Sequence, residues 1–214
     1  VSGGRVTAIV AEAEIPADAE LVSSGGGILV PGFVDLQVNG GGGVMLNDQP
    51  TVEGLRTICR AQARFGTTAL LPTLITDTPE TTAAVIAAGR QAVAQNMPGF
   101  AGLHLEGPHL SLARKGAHDP ALIRPMAAAD LDLLLSCRDV FPAMMITVAP
   151  ENVTEDQVSR LAAAGFVVSL GHTDAGFDTV ERYAKAGAST VTHLFNAMSP
   201  LGHREPGMVG AALD

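Results

Sequence analysis

Short apolar runs alternate along this chain with longer segments whose apolar residues recur at helical spacing. Residues 33–38, 67–71, 100–106, 144–149, 166–171 and 189–194 read as strands. Residues 52–65, 78–95, 130–137, 154–165 and 178–186 read as helices. Thr78-Pro79 offers an N-cap followed by proline at the first helical position. Thr154-Glu155-Asp156-Gln157 is a capping box. Gly66, Gly165 and Gly187 each close a helix and lead straight into a strand, as C′ glycines do. Consecutive strand–helix units of this kind require a parallel sheet.

Six such units without a change of pattern favour a TIM-type (β/α) barrel over a doubly wound sheet. A full barrel has about eight strands, so the pattern predicts an α/β barrel truncated after about six βα units. Residues 31–214 are then an incomplete (β/α)8 barrel. Before it, Val6-Thr7-Ala8-Ile9-Val10 reads as a short strand and Ser23-Ser24-Gly25-Gly26-Gly27 as a turn. Residues 1–30 are expected to form part of a small β subdomain.

Composition supports a buried sheet. Hydrophobic residues make up 47% of the chain and charged residues 16%, well below the usual quarter. Strands covered by helices on their outer face need few charges. The net charge of −9 lacks the basic footprint of a nucleic-acid partner, but leaves room for a small anion bound by one or two local cations. Cys59 and Cys137 lie in apolar helical patterns and match no metal spacing, so both read as buried thiols. No apolar run approaches the ~18 residues of a membrane span. Val1-Ser2-Gly3-Gly4-Arg5 has neither a signal-peptide layout nor an initiator Met. The expectation is a cytoplasmic protein missing its first few residues. Gly40–Gly43 follows a strand but lacks dinucleotide-binding spacing, and is expected to bring backbone close to the site.

The chemistry concentrates where strands end. His104-Leu105-Glu106-Gly107-Pro108-His109 closes the third strand with two histidines and a carboxylate. Alternation puts His104 and Glu106 on one face. His172 follows the fifth strand and His193 closes the sixth. At a barrel's C-terminal face such residues read as catalytic. Any one of these histidines alone is more often a hydrogen-bonded core group. Glu106, His172 and His193 together form a competent zinc set with an open position for water.

The ordered motifs carry a resemblance. Leu29-Val30-Pro31-Gly32-Phe33-Val34-Asp35 looks like the opening of an amidohydrolase-superfamily barrel. Gln37-Val38-Asn39-Gly40, His104-Leu105-Glu106-Gly107-Pro108, Lys115-Gly116-Ala117-His118, Val148-Ala149-Pro150-Glu151, Gly171-His172-Thr173, His193-Leu194-Phe195-Asn196-Ala197-Met198 and Arg204-Glu205-Pro206-Gly207 follow in order. Together they resemble the N-acetylglucosamine-6-phosphate deacetylases of that superfamily.

The resemblance implies one divalent metal ion, zinc first and iron, manganese or cobalt as alternatives, on Glu106, His172 and His193. Many amidohydrolases have His-x-His on the first strand; here the positions hold Asp35-Leu36-Gln37. Gln is a poor zinc ligand, so a single tight metal is expected, with Gln37 touching metal-bound water or a weak second ion. His118 is implied to stabilise the oxyanion. Ala117, Asn196 and Ala197 are implied to contact the sugar phosphate, and Arg204 its anion. In relatives this arginine reaches a neighbouring subunit, so a homodimer is expected. The general-base aspartate of such enzymes follows an eighth strand and is not expected within this chain. Two alternatives stay open: an amidohydrolase for a cyclic amide or nucleobase, and a non-catalytic barrel that only binds.

Overall fold

The computed structural model describes residues 1–3, 5–137 and 139–214; Gly4 and Arg138 lie outside the described residues. The chain divides into two compact units, Val1–Pro31 and Gly32–Asp214.

In the second unit β1 (Phe33–Val38) leads into a hairpin of β2 (Gly40–Gly41) and β3 (Val44–Met45). Then follow α1 (Val52–Ala63), β4 (Thr67–Ile75), α2 (Pro79–Ala94), β5 (Gly102–Glu106), α3 (Ala128–Leu135), β6 (Ala143–Val148), α4 (Glu155–Ala163), β7 (Val167–Leu170), α5 (Phe177–Ala186), β8 (Thr190–Val191) and α6 (Gly207–Leu213). One six-stranded sheet runs β1-β4-β5-β6-β7-β8, and every pair is parallel. This is an α/β fold of the TIM type, a curled partial barrel of six βα units.

Local chemistry sets the element ends. The hydroxyls of Thr51, Thr78 and Thr154 accept from Gly54, Thr81 and Gln157 main-chain N–H groups at 3.1, 3.2 and 3.2 Å. Gln157 closes its box by accepting from Thr154 N–H at 2.9 Å. Gly187, at φ +119°, ends α5 in a conformation that L side chains rarely adopt. Leu55 and Ile58 of α1, Val85 of α2 and Leu161 of α4 are fully buried in the same apolar cluster as Leu70, Leu103 and Ile146 of the strands.

The structure also departs from the sequence reading. β4 runs through Pro72 to Ile75 instead of ending at Leu71. Proline cannot donate to a ladder, and it is accommodated because the β1–β4 register slips between Asp35 and Val38. Gly41 and Gly42 approach α1, not the site: a Cβ on either would meet Ala61, Gln62 or Thr57 at 3.0–3.5 Å. In the first unit Val6–Val10 is not a strand. The described residues there hold a 3₁₀ turn at Glu12–Glu14 and a Ser2–Arg5 bridge. Val6 and Ile9 are exposed, so an apolar alternation without a partner ladder has nothing to bury against.

Candidate metal centre and substrate cleft

Three strand ends converge on one point. Glu106 is the last residue of β5, while His172 and His193 each stand two residues past β7 and β8. Their ligand atoms all lie within 4.8 Å of one another. His172 Nε2 is 3.2 Å and His193 Nε2 3.3 Å from Glu106 Oε1. The two Nε2 atoms are 2.9 Å apart.

The opposite ring nitrogens decide what those contacts are. His172 Nδ1–H donates to the Arg114 carbonyl at 2.8 Å, and His193 Nδ1–H to the Asn196 carbonyl at 3.0 Å. In neutral rings both Nε2 atoms then present lone pairs to each other and to a carboxylate. That arrangement is repulsive unless a cation lies between them. Ligand bonds of about 2.0–2.1 Å place tetrahedral donors roughly 3.3 Å apart, so spacing and donor type both fit a divalent ion. Carbonyl-oriented imidazoles are also the usual support of metal ligands. A proton is the lesser cation for the same place, and the Glu106 carboxylate raises the His193 pKa. Burial pushes the Glu106 carboxyl up, but the contacts of His172 and His193 outweigh it and hold it well below the usual carboxylate range.

The segments carrying the histidines are conformationally strained. His172 (φ +47°), His193 (φ +34°), Phe195 (φ +76°) and Ala197 (φ +52°) are all left-handed. Such non-glycine residues cost about 1–3 kcal/mol each and cluster at functional sites.

His118 stands beside this cluster, with Nε2 4.0 Å from Glu106 Oε2 and its ring edge-on to His172. The Thr76 main-chain N–H donates to His118 Nδ1 at 3.3 Å. That nitrogen is therefore an acceptor, and Nε2 carries the proton toward the site. Burial, then the neighbouring His172, pushes its pKa down to about 4, so the ring is a neutral donor near pH 7. The Gln37 amide donates to Glu106 Oε2 at 3.0 Å.

Gln37, Glu106, Ala117, His118, His172, His193, Asn196 and Ala197 line one open cleft of about 390 Å³. Arg204 does not. It is exposed in the turn before α6, and Glu205 bonds elsewhere, accepting from Phe177 and Gly207 N–H groups. His203 is likewise exposed. Asp35 is half-buried and accepts from the Gln37 main-chain N–H at 3.1 Å. His109 is buried, bonds the Arg124 carbonyl at 3.0 Å and faces a small void under α3. His104 lies beneath Glu106, wholly buried between the hydroxyls of Thr73 and Thr147. Burial lowers its pKa to about 4.

Sequence reasoning missed Thr76, which orients His118, and Arg114, whose carbonyl orients His172 and which also lines the cleft. Ending β4 at Leu71 hid Thr76. Main-chain acceptors such as that of Arg114 leave no side-chain signature.

Comparison with known families agrees with this geometry. The amidohydrolase family matches residues 28–213. The chain belongs to the amidohydrolase family. Amidohydrolases are metal-dependent hydrolases, and the three converging ligands are a possible metal site of that kind. An N-acetylgalactosamine-6-phosphate deacetylase of Shewanella sp. (strain ANA-3) is 50% identical over 186 residues, 87% of this chain and 47% of the relative. The N-acetylglucosamine-6-phosphate deacetylase of Haemophilus influenzae is 38% identical, over 100% and 56%. Among solved structures, the Pasteurella multocida N-acetylglucosamine-6-phosphate deacetylase superposes with TM-score 0.94 at 37% identity, covering all of this chain and 56% of that one. A Mycobacterium smegmatis mutant of the same named enzyme, in complex with N-acetyl-D-glucosamine-6-phosphate, gives TM-score 0.78 at 35% identity over 85% and 47%. This amidohydrolase chain spans about half the length of the curated relatives it matches.

Proposed function

We propose that the cleft takes part in hydrolysing the acetamide of N-acetylglucosamine 6-phosphate to glucosamine 6-phosphate and acetate. One divalent ion would be held by Glu106, His172 and His193, zinc first, with iron, manganese and cobalt also suited to an imidazole–carboxylate set. When bound, the ion supplies Lewis acidity and lowers the pKa of a water toward about 7. The observation that carries this reading is the facing of two lone-pair-bearing Nε2 atoms, 2.9 Å apart, against one carboxylate.

Positioning and charge stabilisation fall to residues of this chain. His118 Nε2–H points into the cleft as a neutral donor for the oxygen that gains charge in amide hydrolysis. Gln37 holds the outer oxygen of Glu106 and so keeps the carboxylate aimed. Ala117, Asn196 and Ala197 would contact the sugar phosphate. Arg204, exposed and away from its own cleft, is free to meet the phosphate in a second copy's site, which supports a homodimer. Glu106 is the only carboxylate lining the cleft among the described residues, and it is committed to the ligand set. Proton transfer to the leaving amine therefore falls to a group outside that lining. A phosphorylated sugar stays in the compartment that made it, which supports a cytoplasmic location.

A second reading keeps the chemistry and changes the sugar. The relative at 50% identity is named for N-acetylgalactosamine 6-phosphate, which differs only at C4. Amine release should be measured from both phosphorylated sugars and from their phosphate-free forms. Turnover that needs the 6-phosphate supports the proposal, and the ratio of kcat/KM values chooses the epimer. Turnover of a cyclic amide or nucleobase in place of either sugar overturns it. So does indifference to the phosphate.

A further inference from the structure

Beneath the ligands lies a continuous line of buried side chains that the proposed chemistry does not use. Thr73 Oγ1 is 3.2 Å from His104 Nδ1, and His104 Nε2 is 2.7 Å from Thr147 Oγ1. Thr147 Oγ1 is 2.6 Å from Thr192 Oγ1, which is 2.7 Å from Ser169 Oγ. All five residues are at most 2% exposed. The line therefore crosses from β4 through β5 and β6 to Thr192, just past β8, and turns back to end at Ser169 on β7.

Its two ends fix its direction. The Val38 main-chain N–H donates to Thr73 Oγ1 at 3.0 Å, and the Thr73 hydroxyl has the Leu71 carbonyl at 3.2 Å as an acceptor. Ser169 Oγ has only Thr192 as a side-chain partner among the described residues. If protons run from Ser169 toward Thr73, every donor finds an acceptor: Ser169 to Thr192, Thr192 to Thr147, Thr147 to His104 Nε2, His104 Nδ1–H to Thr73, and Thr73 to Leu71 O. If they run the other way, the Ser169 proton is buried without an acceptor, an arrangement that buried polar groups avoid. The first direction requires the Nδ1–H tautomer of His104.

The line also sits directly under the ligand-bearing backbone. His104 precedes Glu106 by two residues on one strand face, and Thr147 pairs with Glu106 in register. Thr192 adjoins His193. Gly171, which precedes His172, has no room for a side chain: a Cβ there would come within 2.9 Å of both Thr147 and Thr192.

We propose that Thr147, His104 and Thr192 are positioning residues, a one-directional hydrogen-bonded floor that sets the separation of Glu106, His172 and His193. This inference rests on the reading of those three as a metal centre. The test uses Thr147→Val, which removes the hydroxyl at nearly constant shape, and Thr147→Ser, which keeps it. Co²⁺ affinity is measured by chelator competition, with its visible spectrum, alongside thermal unfolding in excess chelator. Altered supporting partners typically weaken metal binding about 10–100-fold. We expect Thr147→Val to lose at least about tenfold with a changed spectrum, and Thr147→Ser to restore both. A Val variant that unfolds earlier but binds Co²⁺ as wild type does overturns the positioning role. Equal losses in both variants overturn it too. Nitrogen NMR of the His104 ring in the metal-free wild type tests the floor separately: a proton on Nδ1 supports the direction, and a proton on Nε2 overturns it. A wild type that binds no Co²⁺ overturns the metal centre and the positioning role together, while the NMR result still decides the direction.

Discussion

His172 and His193 face each other through Nε2 atoms 2.9 Å apart, each ring tied behind by a main-chain carbonyl acceptor. The proton that could make this contact a hydrogen bond is committed to the other nitrogen. The pair is built for a cation, and Glu106 supplies the compensating charge.

Elemental analysis of the purified protein is expected to give about one divalent ion per chain. A ligand at 100 times its Kd stabilises a fold by about 2.7 kcal/mol, so adding Zn²⁺ to chelator-stripped protein should raise the Tm measurably. His193→Ala and Glu106→Gln should abolish that rise. Two tightly held ions per chain would contradict the single-metal expectation, and unaltered Zn²⁺ stabilisation in both variants would remove the centre altogether.

His118 makes a different demand. Its Nδ1 accepts from the Thr76 main-chain N–H, leaving Nε2–H as the donor. Deleting an oxyanion donor costs about 10²–10³ in kcat. His118→Ala should show a loss of that size in the active enzyme while the metal content stays unchanged. If metal is lost with activity, His118 acts as a ligand instead.

The strand-end residues were legible because burial and position coincide in the sequence. Glu106, His172 and His193 each interrupt or follow an apolar run, and a parallel barrel brings such interruptions to one face. What could not be read depends on long-range geometry. The strand read over 67–71 stops before Pro72, a residue that cannot donate to a ladder, yet a register slip accommodates it and β4 runs on to Ile75, next to Thr76. The Arg114 carbonyl orients His172 without any side-chain signal. The apolar alternation of Val6–Val10 matched a strand, but periodicity says nothing about whether a neighbour is present. His109 closes the same short run as His104 and Glu106, yet it is a core histidine bonded to the Arg124 carbonyl.

The cysteines are expected to be inert while the protein is folded. Burial pushes the Cys59 thiol up to about 11 and also raises that of Cys137. The thiolate is the reactive form, and both side chains are buried. A thiol-specific chromogenic reagent at pH 8 should find almost no reactive thiol in the native protein and two after denaturation. Rapid native labelling of either cysteine would contradict this.

Arg124 and Asp130 anchor the start of α3. Arg124 donates from both terminal nitrogens, one of them at 2.6 Å, and the Ala127 main-chain N–H adds a third bond to the carboxylate at 2.9 Å. The Arg124 guanidinium holds the Asp130 carboxyl below its ordinary value. A depressed carboxyl contributes stability that is fully present above the unfolded-state pKa, near 3.9, and is lost as pH falls through the lower folded-state pKa. Arg124 is about one-third exposed, so solvent screening limits the pair, and Asp130→Asn should cost about 1 kcal/mol at pH 7. Paired denaturant melts from pH 7 downward should show that difference holding to about pH 4 and closing at lower pH. A gap that widened on acidification would mean that Asp130 is protonated in the native state, and the ion pair would have to be abandoned.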